Sequence, residues 1–458
     1  MSSQSLAAPG RLVLRPGDDG YASETAGFQT GFAQRPALVC AAASAGDVTA
    51  AVAYAAERGM PVDVQATGHG MPGAAEGRLL ITTRRMDAVT VDPVSRTARI
   101  AAGARSGQVV AAAAAHGLAP LNGSSPGVGA VSYTLGGGLG ILGRAFGHAA
   151  DHVRSLDVVT ADGRPRHVTL QSDPELFWAL LGGGADFGVV TELQTALVPV
   201  ARLYGGSLAF DCGDASGGGA VDPGDVLLGY AEWTRNLPDG LTSSLAAVPY
   251  PDLPALPEGL RGRYVLSVRI AYPGSADEGE RLVAPLRALG PVLSDSLREM
   301  PYAQSRTIHD DPDSPHAYYG DSAVLSALDA GAAGELLGLT GPGAPMMSVL
   351  QINHLGGALA APPPVPNAVP HRAGRFLVRL LSVLDATGRQ GARAHAEKAL
   401  GLLAPWTIGR ALNFSFGGGD RPEGLYEPGT AARLAALKER YDPAGLFRRG
   451  YGLTGAGG

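Results

Sequence analysis

The chain has 458 residues, 45% hydrophobic and 17% charged, with 66 glycines, and that length and apolar content support about two or three domains with large cores. A formal charge of -6 excludes a global basic surface for nucleic acid. No apolar run is long enough to span a bilayer, and Met1 to Gly20 lacks the basic and apolar stretches of a leader, so the chain reads as a soluble, cytoplasmic protein.

From the N-terminus, Ala37 to Ala41 reads as a strand and Ser44 to Gly59 as a helix, with Ser44 near its N-cap, Gly59 just past its end, and Val48, Val52 and Ala55 at helical spacing. Pro61 to Gln65 follows as a strand, completing a strand-helix-strand unit. Further strands are predicted at Leu79 to Thr82, Ala88 to Val91 and Thr97 to Ala101, then an alanine-rich helix from Ser106 to His116. Beyond a glycine-rich loop, strands at Leu156 to Thr160 and His167 to Leu170 precede a helix from Asp173 with Pro174 at its first position. Phe187 to Val198 is an alternating apolar run.

Near Tyr204 the texture changes. Breaks at Gly213 to Gly219 and Pro251 to Gly259 separate strands at Ser207 to Phe210, Ser244 to Val248 and Tyr264 to Ala271. Helices at Ala276 to Leu289 and Gly391 to Leu402, with strands at Met347 to His354 and Phe376 to Val383, complete a second α+β domain. The proline run Ala361 to Pro366 reads as a rigid surface connection. The chain leaves this domain near Trp406 to Phe414, and Thr430 to Tyr441 forms a final amphipathic helix.

Cys40 and Cys212 belong to no metal-ligand spacing and are too few for a disulfide scaffold, so no metal is expected. The two lysines, Lys398 and Lys438, have no motif around them, which argues against a P-loop or a Schiff-base site. What stands out instead is Asn122 to Gly140, where so many residues lack a Cβ that the backbone can approach a ligand closely and surround an anion with amides. A second short loop, Gln65-Ala-Thr-Gly-His-Gly70, sets His69 between two glycines just after a strand. Two such loops point to a phosphate-bearing cofactor.

Gly138 to Gly143 matches G-x-G-x-x-G, but Gly147 follows soon after, and the nearest acids, Asp157 and Asp162, lie in and just beyond a strand. A loop explains these glycines better than a dinucleotide-binding turn. His69 is open to two readings. It is either an ordinary loop histidine or an imidazole whose flanking glycines let a ring nitrogen reach and bond a planar ring. In Ser348 to Leu355, alternation puts Gln351 and Asn353 on one face and His354 on the other. Arg379 interrupts the apolar run Phe376 to Val383, and a charge there needs a partner or a ligand. Each of these four is either a reaction-site group or a satisfied structural one. His148, His152 and Tyr302 are further candidates, and no carboxylate stands out in this sheet.

Several separate motifs agree on one resemblance. The Gly68-His69 loop, the Gly123 to Gly138 loop, Asp151 to Gly163, Gly182 to Glu192, His371 to Gly374 and the tail Tyr441 to Phe447 are similar to those of the berberine-bridge-enzyme-like FAD-linked oxidases, which carry the vanillyl-alcohol-oxidase, or PCMH, type of flavin-binding domain. The resemblance covers Pro36 to Pro199, then Met347 to Val383 more weakly, then Asn413 to Leu453. It implies a two-domain α+β fold: an FAD-binding domain from residues 1–203 and 409–458 around an inserted substrate domain, 204–408, with an antiparallel sheet covered by helices. It also implies FAD bonded to His69 at the 8α carbon, with the pyrophosphate on the amides of Ala66, Thr67, Gly68, His69 and Gly70. Gly123, Ser124, Ser125, Gly127, Val128, Gly129, Tyr133, Gly136, Gly137 and Gly138 would enclose the flavin. Phe187 to Val190, including Gly188 and Val190, would lie toward the adenosine, and Asn413 toward the ring.

Departures from that pattern sharpen the expectation. Ser125 stands where doubly tethered members have cysteine, and a hydroxyl is a much poorer nucleophile than a thiolate, so a single bond through His69 and no cysteinyl bond is expected. Tyr133 stands where many members place a histidine near flavin N1, and its phenol can donate to the reduced, anionic flavin. Val128 falls at a position that controls oxygen access, and valine there fits an oxidase. Ala411 replaces the tyrosine used as a base two residues before the match to Asn413. The catalytic candidates are therefore Tyr133 together with Gln351, Asn353, His354 and Arg379. The expected activity is oxidation of a small organic molecule, such as a natural-product intermediate, by hydride transfer to flavin N5 with O2 as acceptor, in a monomer or homodimer. The lost tyrosine weighs toward cyclisation or desaturation and away from alcohol oxidation. The alternatives are a flavin dehydrogenase with another acceptor, and a non-redox cyclase or binding protein with structural FAD.

Overall fold

The computed structural model describes residues 6, 12–213, 218, 220–384 and 388–447. The break predicted at Gly213 to Gly219 falls mainly outside these, as do the start of Met1 to Gly20 and the end of the resemblance beyond Phe447.

The strand-helix-strand unit forms as the residue types dictate. Leu38–Ala41 and Val62–Gln65 pair in parallel with opposite edges of Leu79–Thr82, and the helix Ala45–Arg58 makes the crossover. Ser44 accepts the Asp47 amide at the start of that helix, and Gly59 takes a φ of 59° at its end. Every residue of Leu38–Ala41 and Leu79–Thr82 is buried, as expected for parallel strands covered on both faces. A short strand that was not expected, Leu12–Leu14, closes one edge.

A second sheet is antiparallel throughout, in the order Pro165–Val168, Val153–Val159, Val189–Ala196, Thr97–Ala101, Val89–Asp92. Its core takes Ile100, Leu156 and Leu193 from strands, Val109 from the helix Ser106–Ala114 and Phe177 from the helix Pro174–Gly183. The helix Pro428–Tyr441 returns to the same core through Leu434 and Leu437. The glycine-rich stretch is not all loop. Ala130–Leu135 is a buried helical turn and a half bounded by Gly129 and Gly136, and Gly143–Phe146 forms another short helix. Val131 and Leu135 reach the apolar core, and that burial outweighs the local preference of the flanking glycines.

The third sheet has nine antiparallel strands. Its middle runs Arg202–Asp211, Tyr264–Tyr272, Thr242–Pro249, Ser348–His354, Phe376–Val383, Tyr318–Leu325. Four helices cover one face: Pro223–Trp233, Ala276–Arg287, Ala330–Thr340 and Gly388–Gly401, which contribute Leu227, Val283, Leu336 and Ala396 to the core beneath. Two of these helices and the strand Tyr318–Leu325 were not anticipated. Gly320-Asp321-Ser322 reads locally as a turn, yet pairing with Arg379 to Leu381 on one side and the Gly320–Phe416 bridge on the other hold it extended. Ala330–Thr340 carries three glycines and becomes helical because Ala333, Leu336, Leu337 and Thr340 bury one stripe. The uncovered face of this sheet turns toward the other two.

Candidate active site

Between the first and third sheets, with the glycine-rich segment beside it, lies a cavity of about 680 Å³. Its floor is the loop after Val62–Gln65 and the segment from Gly123 to Tyr133; its roof is the uncovered face of the nine-stranded sheet. Strand register decides which roof residues meet. Asn353 lies opposite Ser244, which lies opposite Arg269, and Gln351 lies opposite Arg379. All five line the cavity, whereas Leu350 and Ile352 on the alternate face enter the core under the helices.

His69 sits in the floor. Its ring stacks on Phe28 with centroids 3.9 Å apart and planes 9° from parallel. Nδ1 lies 2.8 Å from Thr67 Oγ1, which also accepts the Gly129 amide at 3.2 Å, so both glycine loops meet at one hydroxyl. The His69 carbonyl accepts the Tyr318 phenol at 2.7 Å, joining floor to roof. Burial, reinforced by the nearby charges of Arg105 and His316, pulls the His69 pKa from 6.5 to about 4, so the ring is neutral at pH 7. Gly127 lies beside the ring, its Cβ position 3.5 Å from His69 Cε1 and 3.8 Å from Ser125 Oγ, both ordinary contact distances.

Five residues of the cavity wall carry a buried polar atom with no hydrogen-bond partner: His69 Nε2, Tyr133 Oη, Ser244 Oγ, His309 Nδ1 and Asn353 Oδ1. Each such atom costs roughly 1–3 kcal/mol unless a ligand meets it. Around Gly70 the floor is open, since a Cβ there would meet nothing within 4 Å. A long ligand with phosphates at one end and a polar ring at the other fits this wall. Tyr133 is positioned through its carbonyl, which accepts Asn413 Nδ2 at 2.9 Å, and burial keeps its phenol protonated far above neutral pH. Gly136 makes that bond possible, because a Cβ there would fall 1.9 Å from Asn413 Oδ1.

The structure gathers Ala66, Thr67, Gly68, His69, Gly70, Gly123, Ser124, Ser125, Val128, Tyr133, Gln351, Asn353, Arg379 and Asn413 on the cavity wall. Other expected residues lie elsewhere. His354 is on the helix-covered face, with Nε2 3.3 Å from the buried Arg144 and its ring against Phe376, because alternation turns it away from Asn353. Gly127, Gly129, Gly136, Gly137 and Gly138 stand behind the wall and let neighbouring segments close up; a Cβ on Gly138 would strike Ala149 and the Tyr133 ring. Gly188 packs on Val158 and Val159, and Phe187 and Val190 are core, so none of this segment lines the cavity. His148, His152 and Tyr302 lie off it too; Tyr302 donates to Asn122 Oδ1 at 2.7 Å. His371 and Arg372 serve structure: Arg372 and Asn367 clamp the buried Asp151 at 2.6 and 2.8 Å.

Four groups were missed: Arg269, His309, Asp311 and Tyr318. Arg269 carried the same signal as Arg379, a charge inside an apolar strand, in Tyr264 to Ala271. Asp311 brings a carboxylate to the roof from outside the sheet; it enters from the segment after Tyr302–Ile308 and accepts the Ser124 hydroxyl. No local pattern announced it.

A floor of glycine-loop amides with one neutral imidazole, under a polar antiparallel roof, suits an FAD-binding enzyme. Residues 36–169 match the family model of the FAD binding domain. The chain is an FAD-linked oxidoreductase. It is 29% identical to (R)-6-hydroxynicotine oxidase of Paenarthrobacter nicotinovorans over 99% of this chain and 100% of that one. The crystal structure of 6-hydroxy-D-nicotine oxidase from Arthrobacter nicotinovorans is similar over 98% of both chains, with a TM-score of 0.84 at 25% identity. The Physcomitrella patens BBE-like 1 structure shares the fold over 97% of both chains, with a TM-score of 0.83 at 18% identity. Among the described residues no helix is long and apolar enough to cross a membrane, and no group of three or more His, Cys, Asp or Glu could hold a metal ion.

Proposed function

We propose that this chain holds FAD through a single bond from His69 to the flavin 8α carbon and oxidises a small organic molecule, with O2 as the final acceptor. FAD bound here supplies a two-electron acceptor able to take a hydride from a substrate carbon. The observation that carries the reading is the state of His69: neutral, stacked on Phe28, fixed at Nδ1 by Thr67, with Nε2 buried in the cavity wall and unpartnered. A buried N–H without a partner is rarer than an unpartnered lone pair, so the proton belongs on Nδ1, donating to Thr67 Oγ1. Nε2 then keeps the lone pair that bonds carbon. Ser125 offers a hydroxyl where a second bond would need a thiolate.

The remaining residues bind and orient. Amides of the 66–70 loop, open around Gly70, suit a pyrophosphate. The buried, unpartnered Tyr133 phenol would be a donor to a flavin ring held here, and a fixed ring need not be repositioned at each turnover. Val128 on the cavity wall supports O2 as acceptor, as does the similarity to an enzyme named as an oxidase. With Ala411 in place of a basic tyrosine, desaturation or cyclisation of a natural-product intermediate suits the site better than alcohol oxidation.

Acid precipitation tests the tether. Yellow colour should stay with the pellet, the His69 peptide should carry the mass of FAD, and His69→Ala should release both. Flavin recovered in the supernatant refutes the bond, and a protein that refuses flavin refutes the reading. Anaerobic reduction followed by an oxygen pulse tests the acceptor; slow reoxidation would make the enzyme a dehydrogenase.

A further inference from the structure

The roof holds two arginines that, among the described residues, form no ion pair with a carboxylate, although Asp311 acts on both through space. Arg269 and Arg379 stand on different strands, line the cavity and are partly buried. Among the described residues each makes one hydrogen bond, both to the same neutral atom: Gln351 Oε1, 3.3 Å from Arg269 Nη1 and 2.5 Å from Arg379 Nη2. A guanidinium is a fork of N–H donors, so most of both forks is unspent. Desolvation depresses both groups, Arg379 to about 10, as expected of cations held close together away from water.

The nearby charges do not cancel. Asp311 is held ionised, against its burial, by Arg379, Arg269 and the Ser124 hydroxyl, while His309 is kept neutral by burial and by Arg269. Asp310 is exposed and does not line the cavity. Of the other charged residues on the wall, Arg78 pairs with Asp63 and Arg389 with Asp420, so Arg269, Arg379 and Asp311 leave a formal charge of +1, with Asp310 acting on Arg269 only from an exposed position, beside the unpartnered Ser244 Oγ and Asn353 Oδ1. A buried net charge is stable only with a counter-ion, and a planar monoanion matches both the charge and the fork.

We infer that Arg269, Arg379 and Gln351 form a clamp for a carboxylate, so that the molecule oxidised in this cavity is a small organic acid bound as its monoanion. The inference rests on the cavity being the substrate site of the proposed flavoenzyme. The same pair facing a flavin alone would serve a different purpose, that of steadying negative charge on the reduced ring, and the test separates the two.

Calorimetric titration of the flavin-loaded enzyme with acetate, benzoate and phenylacetate, against acetamide, benzamide and phenylacetamide, gives the reading. At least one acid should bind about tenfold to a hundredfold more tightly than its amide, the range for hydrogen bonds to charged groups. That preference should disappear in Arg269→Gln and Arg379→Gln and survive in part in Arg379→Lys, which keeps the charge and loses the fork. Circular dichroism of each variant, matched to the parent, guards against misfolding. If no acid binds more tightly than its amide, the clamp is refuted. It is refuted equally if Arg379→Gln leaves acid binding unchanged and lowers only the flavin midpoint potential. A yellow enzyme without the preference sinks this inference alone, whereas a colourless protein that keeps the preference sinks the flavin reading and leaves the clamp standing.

Discussion

Floor and roof of the cavity are made in opposite ways. The floor comes from runs of neighbouring residues, 65–70 and 123–133, and offers main-chain amides with one imidazole. The roof draws Ser244, Arg269, Gln351 and Arg379 from four strands, with Asp311 from outside the sheet, and offers side-chain charge. Backbone recognition suits a cofactor of constant shape, while side chains can be exchanged as the substrate changes. The two faces of the roof differ as well. On the face away from the cavity, Asp321 is 2% exposed and fully paired, accepting Arg410 Nε at 2.8 Å and Arg421 Nη1 at 2.5 Å. On the cavity face Arg379 forms no ion pair among the described residues, and Asp311 acts on it only through space.

The largest effect expected from breaking this contrast is structural. Asp321→Ala leaves two guanidiniums without their carboxylate and should destabilise the protein by about 3–5 kcal/mol. Urea denaturation followed by circular dichroism measures it, and a loss under 1 kcal/mol, roughly the range of an exposed ion pair, would show that the network is not structural.

Acid should act next most strongly. His69 and His148 are lowered from 6.5 to about 4 and His354 to about 3, all chiefly by burial, and His309 is lowered for the same reason. In this window the unfolded chain binds protons that the folded chain refuses, so stability is present above the unfolded pKa and is lost as pH falls from about 6.5 toward 4. The limiting slope is about 1.4 kcal/mol per pH unit for each histidine. Urea midpoints at pH 7, 5.5 and 4.5 should fall in that order, and His309→Phe should flatten the decline by one histidine's share. A midpoint independent of pH would mean these rings are solvated.

How much of this was legible depends on distance along the chain. His69, the glycine loops and the first strand-helix-strand unit each declare themselves within a few residues, since caps, positive φ and apolar periodicity are local. Gln351 and Asn353 were placed on one face by alternation alone. Asp311 and Tyr318 could not be found that way: one reaches the site from an irregular segment, and the other lies in a strand whose Gly-Asp-Ser centre imitates a turn. Phe187 to Val190 and the glycines from Gly136 to Gly138 misled in the other direction. Glycine is needed as much for close packing of Asn413, Val369 and Ala149 as for approach to a ligand, and residue type does not separate the two uses.

A smaller effect sharpens the account of the floor. Thr67→Val removes the hydroxyl that holds His69 Nδ1 and receives the Gly129 amide. One such hydrogen bond is worth about 1 kcal/mol, so acid-stable flavin should accumulate about fivefold more slowly when the apoprotein is reconstituted with FAD. An unchanged rate would mean that stacking on Phe28 alone orients the ring.

The smallest change in stability is expected at Arg379, and its smallness is the point. A partly buried cation hydrogen-bonded to Gln351, 5.0 Å from the Phe414 ring and met by Asp311 only through space, contributes little to the fold, because the cost of removing it from water is not recovered. Arg379→Met should therefore leave stability within about 1 kcal/mol of the parent, or raise it, as often follows when a strained site group is made apolar. The same urea series used for Asp321→Ala gives the comparison directly. If Arg379→Met cost as much as Asp321→Ala, both faces of the roof would be structural and the cavity charge would need no ligand to explain it.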